Sequence, residues 1–310
     1  MLDQPVWPGL AACGIGVGTF GMGGGNYPAK PGEVFGAPYR DDTDVDRHVL
    51  ALHHSLVHGQ TFIDTAAIYS NGLAEEIVGR ALRGFNRCQL TVASKIRRET
   101  IQQPHTIVAA TRGIQQRLGL GSEPLDLLYL HSPNYPGTSL EHVMTALNLT
   151  VELGLTRAIG ACNVTLDQLQ ELIRLSWHPI VAVQNLFNPL YHHHGGNKAT
   201  FTPQLQAFCR QQDILMVAHT PLHAGQVANH PELVRLATEL NITPAQLALA
   251  WIQEKGMVPI PKASTLAHIN ENIAAHNLVL PAEIARQLDS LSSVGLPERG
   301  VIAPRLTATA

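Results

Sequence analysis

Apolar and polar positions alternate along the chain in two rhythms. Short, almost uniformly apolar runs occupy 13–21 (CGIGVGTFG), 61–66 (TFIDTA), 90–96 (LTVASKI), 125–132 (LDLLYLHS), 156–164 (TRAIGACNV), 179–187 (PIVAVQNLF), 214–222 (ILMVAHTPL) and 257–264 (MVPIPKAS). Runs of this length and character are the pattern of strands buried on both faces. Between them the period lengthens to that of a helix. Within 43–59, Val45, Val49, Leu52 and Leu56 recur at i, i+4, i+7 and i+11, which lines them along one helical face. Helix starts are marked as well. Thr43 with Asp46 resembles a capping box with Asp in the place of Glu or Gln, and Thr165 with Gln168 opens LDQLQELIRLS. Thr243-Pro244-Ala245-Gln246 adds proline at the first helical position.

Strands of this kind, each followed by a helical pattern, predict a parallel sheet covered by helices; eight unbroken repeats predict its closure into a single (β/α)8 TIM barrel. The competing arrangement, an open doubly wound sheet, more often carries a glycine fingerprint after its first strand. The stretch GIGVGTFGMGGG does not fit GxGxxG opening a helix. No shift in composition marks a linker. Residues 1–310 are therefore expected to form one barrel domain, with a polar, Pro- and Gly-containing loop insertion at about 22–42 and a short, weakly patterned tail after Gly300.

Composition narrows the class. With 45% hydrophobic and 15% charged residues in 310, the chain has the apolar material for a large core. A net charge of −3 and a pI near 6.6 give no electrostatic reason to expect nucleic acid or an anionic membrane as partner. No basic segment followed by an apolar one opens the sequence, and no apolar run approaches the ~20 residues that span a bilayer. Cys13, Cys88, Cys162 and Cys209 are dispersed without a CxxC pair, which points to free thiols in a reducing, cytoplasmic setting.

In a barrel of this kind the chemistry gathers where strands end at their carboxyl side. There the chain places Asp64, with Tyr69 just beyond it, then Lys95 and His131, from three successive βα units. Each has an ordinary structural reading when taken alone: Asp64 and Lys95 as an ion pair on the rim, Tyr69 as a loop aromatic, His131 as a hydrogen-bonded strand end. Their conjunction at one mouth favours chemistry. These residues lie in IDTAAIYSNGLAEEIVGRAL, ASKI and LDLLYLHSPN, which resemble, in order and in spacing, the motifs of the aldo-keto reductases. The resemblance runs from about Gly14 to about Asn277. Physical logic agrees with it. A phenol, with a reference pKa of about 10, is a poor acid at neutral pH, and a neighbouring ammonium lowers that value. Lys95 is thus expected to activate Tyr69 as a general acid, Asp64 to hold Lys95, and His131 to hydrogen-bond the substrate oxygen or tune the phenol.

The resemblance also implies a nicotinamide cofactor. Asn163 and Gln184 match the residues that hold the carboxamide, and Cys162 stands where the family usually has Ser. His219 replaces an aromatic residue that stacks on the nicotinamide, and Thr220, Pro221 and Leu222 match the loop approaching the pyrophosphate. Gly18-Thr19-Phe20-Gly21 resembles the opening in which Thr19 lies near the nicotinamide ribose and Phe20 faces substrate. In PIPKASTLAHINENI, Lys262, Glu271 and Asn272 match the adenosine grip. Ala263 replaces Ser, and His268 stands where the family has the Arg that holds the 2′-phosphate. A bidentate guanidinium–phosphate pair is lost there. The expected cofactor is NADP(H), weakly discriminated, with NAD(H) as the alternative.

The run His192-His193-His194 resembles a metal motif, but neighbours on an extended chain point to opposite faces. A solvated loop is expected, and no metal. His53, His54 and His58 are expected on the surface of the first helix, and Cys162 as a small packing residue. The function implied is reduction of a small aldehyde, ketone or sugar, or the reverse oxidation. Two other readings stay open: a cofactor-binding regulatory subunit with little turnover, and a metal hydrolase built on His131 and the histidine run. Specificity is expected from 22–42, 133–139 and 188–199. Oligomeric state is not written in any motif.

Overall fold

The computed structural model describes residues 14–24, 44–96, 104–133, 138–192 and 199–291. Most of the 22–42 insertion, residues 134–137 of the 133–139 loop, His193, His194 and the tail after Gly300 lie outside the described residues, as does Thr43.

All eight expected strands form, in order: β1 (Val17–Gly18), β2 (Phe62–Asp64), β3 (Thr91–Ile96), β4 (Leu125–Leu130), β5 (Thr156–Cys162), β6 (Ile180–Leu186), β7 (Leu215–His219) and β8 (Val258–Pro259). Each pairs in parallel with the next. The ring then closes. Gly16 N donates to Pro259 O at 2.9 Å and Gly18 N to Pro261 O at 3.0 Å, joining the first strand to the last. Pro259 and Pro261 have no N–H to return, so this seam is bonded from one side only. Ile260, between them, faces the other way and donates to Ala218 O at 3.1 Å. Glycine is required on the β1 side, because a Cβ on Gly18 would stand 2.6 Å from the Ile260 carbonyl oxygen.

Helices cover the ring, as the 3.6-residue rhythm predicts: α1 (Val45–Val57), α2 (Leu73–Ala81), α3 (Pro104–Arg117), α4 (Leu140–Glu152), α5 (Leu166–Leu175), α6 (Pro203–Gln211), α7 (Pro231–Glu239), α8 (Pro244–Glu254), α9 (Leu266–Ala274) and α10 (Ala282–Ser290). The capping boxes at Thr165/Gln168 and Thr243/Gln246 are both complete. The first helix begins one residue later than expected. Asp44 is its N-cap, accepting from Arg47 N at 2.8 Å through a carboxylate, while Thr43 of the expected Thr43/Asp46 pairing lies outside the described residues.

Two cores result. Outward-facing strand residues and the inner helix faces form a continuous shell in which Leu52, Ile77, Val92, Leu128, Val183 and Trp251 are buried. Inside the ring, Phe62, Ala93, Leu127, Tyr129, Ala158, Ala182, Val217 and Ile260 fill the barrel. Below the mouth the barrel is packed. No helix among the described residues is long and apolar enough to cross a membrane.

The seam gives a stability prediction. Gly18→Ala pushes a methyl group into the Ile260 carbonyl, and the strand must move away. A loss of about 1–3 kcal/mol, the usual range for overpacking, is expected as a lower midpoint in denaturant unfolding.

Candidate active site

On the inward face of the barrel, side chains alternate along each strand. Phe62, Ala93, Tyr129, Ala182 and Val217 point inward from lower levels. Two residues further along, the same parity carries Asp64 on β2, Lys95 on β3, His131 just past β4, Gln184 on β6 and His219 on β7, with Cys162 ending β5. All of the predicted strand-end residues therefore meet at one mouth.

Lys95 is 1% exposed. Its ammonium donates to Asp64 Oδ1, to Thr65 O at 2.8 Å and to the Tyr69 hydroxyl at 3.3 Å. Gln184 Nε2 donates to the other Asp64 oxygen at 2.7 Å. Burial alone would pull the Lys95 pKa down; Asp64, then Tyr69, outweigh it, and the net direction is up. Burial raises Asp64 against the opposing pull of Lys95. With both carboxylate oxygens and the ammonium hydrogen-bonded, the pair stands as charged lysine and charged aspartate.

Tyr69 departs from expectation in one respect. Lys95 favours its phenolate, but burial disfavours it more strongly, and the pKa is raised. The phenol stays protonated at neutral pH, with the ammonium placed to stabilise the phenolate once a proton leaves. His131 is likewise neutral: burial first, then Lys95 and His219, push its pKa down to about 3. Its ring centroid lies 6.2 Å from that of Tyr69, nearly perpendicular. Phe20, an exposed aromatic, also packs edge-on with Tyr69, with ring centroids 5.3 Å apart.

The turn carrying Tyr69 is held by a group that the sequence reading missed. Ser70, Asn71 and Gly72 follow with φ of 47°, 54° and 95°. Three consecutive left-handed residues are unfavourable for an L-chain unless neighbours fix them. Ser70 Oγ donates to Met22 O at 2.6 Å. Arg117 lies over Gly72, where a Cβ would stand 2.7 Å from its Cδ, and donates to Glu75 Oε2 at 2.6 Å. The second Glu75 oxygen accepts from Ser94 Oγ at 2.5 Å. Glu75 is wholly buried; burial raises its pKa and Arg117 opposes that. A signal existed in the sequence: Glu75 sits on the face of α2 that buries Ala74, Ile77, Val78 and Ala81. A carboxylate there demands a cation.

The other predicted residues divide. Asn163, at φ 57°, donates to His131 O at 2.9 Å and accepts from His219 Nε2 at 3.1 Å. In the neutral ring this leaves His219 Nδ1 to accept from the Thr220 hydroxyl, at 3.0 Å. His219 is thus bonded to Asn163 and Thr220. Thr19 is buried and donates from both its N–H and its hydroxyl to Asp64 O, at 3.0 and 3.1 Å. Cys162 is buried among the inner core residues, and burial drives its thiol pKa well up, as suits packing. Pro221 is buried, and Leu222 packs partly buried against the core.

At the outer edge, Lys262 Nζ donates to Ser264 Oγ at 3.2 Å. Ala263 is buried against Ala51 and Ile269. Thr265 caps α9, accepting from His268 N. Asn272 is buried, and Glu271 is half-buried. His192 is not solvated as expected. It is buried beside Phe187 and Trp251, with Nε2 3.2 Å from Asp289 O, because Trp251 and Lys255 both bond the Asp289 carboxylate and draw the end of α10 onto it. His54 lies ring to ring with His58 at 4.1 Å and bonds Asn270. Among the described residues no group of His, Cys, Asp and Glu is arranged to hold a metal.

The donor set fits a nicotinamide dinucleotide. The Asn163 and Gln184 amides each have two donor hydrogens and two acceptor sites, so both keep capacity beyond their internal bonds to complement a carboxamide. Lys262 and the hydroxyl beside it suit a phosphate.

A closed parallel ring with its polar groups at the carboxyl ends of the strands defines a (β/α)8 barrel of the enzyme-bearing kind. The chain matches the model of the Aldo/keto reductase family over residues 14–293 and belongs to that family. It is 31% identical over 248 residues to methylglyoxal reductase YeaE of Escherichia coli (strain K12), covering 78% of this chain and 83% of that protein. Among solved structures, a thermostable aldo-keto reductase bound to the inhibitor epalrestat superposes with a TM-score of 0.76 at 29% identity, over 90% of this chain and 94% of that one. The Klebsiella pneumoniae aldo/keto reductase in complex with NADP and acetate gives 0.73 at 28%, over 90% and 91%.

Removing the cation over Gly72 tests the buried network. Arg117→Met leaves the buried Glu75 carboxyl without its cation, and a loss of about 3 kcal/mol is expected in urea unfolding at neutral pH. Recovery in Arg117→Lys separates charge from shape.

Proposed function

We propose that the protein is an NADP(H)-dependent carbonyl reductase in which Tyr69 is the general acid. The observation that carries this reading is the single ammonium of Lys95, held by Asp64 and within 3.3 Å of the Tyr69 hydroxyl. When bound, the reduced nicotinamide supplies hydride to the carbonyl carbon. Everything else is done by the chain.

As negative charge grows on the carbonyl oxygen, the Tyr69 O–H donates to it and transfers its proton. Lys95 stabilises the phenolate that is left, and because Asp64 and Gln184 already fix the ammonium, little reorganisation is needed. Neutral His131 offers a ring N–H to the same oxygen without a competing charge. Phe20, edge-on to Tyr69, is the apolar wall on the substrate side. In the reverse direction the phenolate accepts the alcohol proton.

For the cofactor, Asn163 and Gln184 hold the carboxamide, with Thr19, Asp64, Cys162 and His219 bordering the nicotinamide. The backbone at Thr220, Pro221 and Leu222 would receive the pyrophosphate, and Gly18, next to Thr19, would lie at the nicotinamide ribose. Lys262, Ala263, His268, Glu271 and Asn272 surround the adenosine end. NADP(H) is the first choice, supported by the cofactor of the Klebsiella structure, and NAD(H) the second. Methylglyoxal is the first substrate to assay, since it is the substrate in the relative's name. The whole chain acts as one domain on this reading, and the unpaired thiols at Cys88, Cys162 and Cys209 suit a reducing compartment.

Tyr69→Phe is expected to lower kcat for methylglyoxal reduction by roughly 100-fold or more while NADPH still quenches tryptophan fluorescence. Undiminished turnover in that variant would remove Tyr69 from the mechanism. The pH profile is a second test. Tyr69 is protonated below its raised pKa, and His131 titrates near 3. Reduction should therefore show no limb from either group between about pH 5 and 8, and oxidation of the alcohol should rise as pH climbs toward the phenol pKa.

A further inference from the structure

Helices α1 and α9 lie side by side. Ala51 of α1 packs against Ala263 and Ile269, and one turn along, His54 Nε2 donates to Asn270 Oδ1 at 2.8 Å. One turn before Ala51 on the same face is Arg47. Ala51 meets Ala263, the residue between Lys262 and Ser264, so Arg47, one turn earlier and with helical side chains leaning toward the helix start, stands on the side of α1 that these residues border. The electrostatics agree with this placement. Partial burial and then the Arg47 guanidinium push the Lys262 pKa down. His48, buried beside them, is lowered by its burial, then by Lys262 and by Arg47, with Asp44 opposing.

Neither cation has a carboxylate partner among the described residues. The Lys262 ammonium donates to the Ser264 hydroxyl. Asp44, which faces His48 from the start of α1, already accepts at Oδ1 from the Arg47 backbone as that helix's cap. Two cations gathered with so little compensation repel each other, and an anion between them relieves the repulsion.

We propose that Arg47 of the first helix, together with Lys262 and the Ser264 hydroxyl, binds a phosphate monoester, and that this is the 2′-phosphate of NADP(H). The assignment rests on the cofactor reading above and adds a residue to it from a different element of the fold. It also changes that reading. The guanidinium missing at His268 is supplied from across the helix pair, so discrimination for NADP(H) over NAD(H) is strong. Arg47 is exposed, which leaves the fork free to meet a phosphate and lets it be replaced without disturbing the core.

The test is a fluorescence titration with NADPH and with NADH on the full chain. Wild type should bind NADPH the more tightly. Arg47→Ala should weaken NADPH by roughly tenfold to a hundredfold, the range for losing a charged hydrogen bond, and leave NADH unchanged. Arg47→Lys should fall between, and His268→Ala should keep most of the preference. Equal affinity of wild type for the two cofactors would overturn the Arg47 assignment alone. So would an unchanged NADPH-to-NADH ratio in Arg47→Ala, or a ratio lost in His268→Ala and kept in Arg47→Ala. A wild type that binds neither cofactor would overturn the cofactor reading and this assignment together.

Discussion

Inside the barrel, one protonated lysine has been taken almost wholly out of water. Leaving such an ion unpaired would cost several kcal/mol, and the groups that prevent this come from separate places: Asp64 from β2, the Thr65 carbonyl from the loop after it, and Gln184 behind Asp64 from β6. The strands must therefore meet in one register. A slip of a single residue in β2 or β3 would turn Asp64 or Lys95 out of the barrel, and the pairing of Asp64 with Ala93 and of Lys95 with Tyr129 is fixed by charge as well as by packing.

Strand β3 serves two buried ion pairs at once. Lys95 faces inward to Asp64, and Ser94, its neighbour, faces outward to Glu75, which is paired with Arg117. The segment from Asp64 to Glu75 is thus attached to β3 at both ends, and Tyr69 lies between the two attachments. The left-handed run Ser70–Asn71–Gly72 is tolerated because both ends are held. The position of the phenol is a property of β3 as much as of its own loop.

Most of the ring could be read from the chain. Strands buried on both faces give apolar runs, and eight of them with helices between leave few arrangements. Asp64, Tyr69, Lys95 and His131 were legible for the same reason, since position at a strand end and residue type pointed one way. What stayed hidden depends on distances in sequence that no local pattern spans. Glu75 is separated from Arg117 by a whole βα unit, and Arg47 from Lys262 by most of the chain. The sign of the Tyr69 shift was hidden too, because it is a contest between burial and one ammonium, and burial is not known until the mouth is built. His192 was misjudged because its neighbours in sequence are polar, whereas its neighbours in space are Phe187 and Trp251.

The seam between β1 and β8 has a consequence for the free and loaded protein. Two prolines leave it with half the bonds of an ordinary ladder, and the strands it joins lie at opposite ends of the sequence, so its closure bears the largest loop entropy in the ring. Thr19 stands just past one side of that join and Lys262 just past the other. A dinucleotide reaching from one to the other would act as a clasp, lending the join the cohesion that the prolines withhold. Its binding energy would then count toward the integrity of the ring. The joint left weakest by the backbone is the one a bound ligand is best placed to lock.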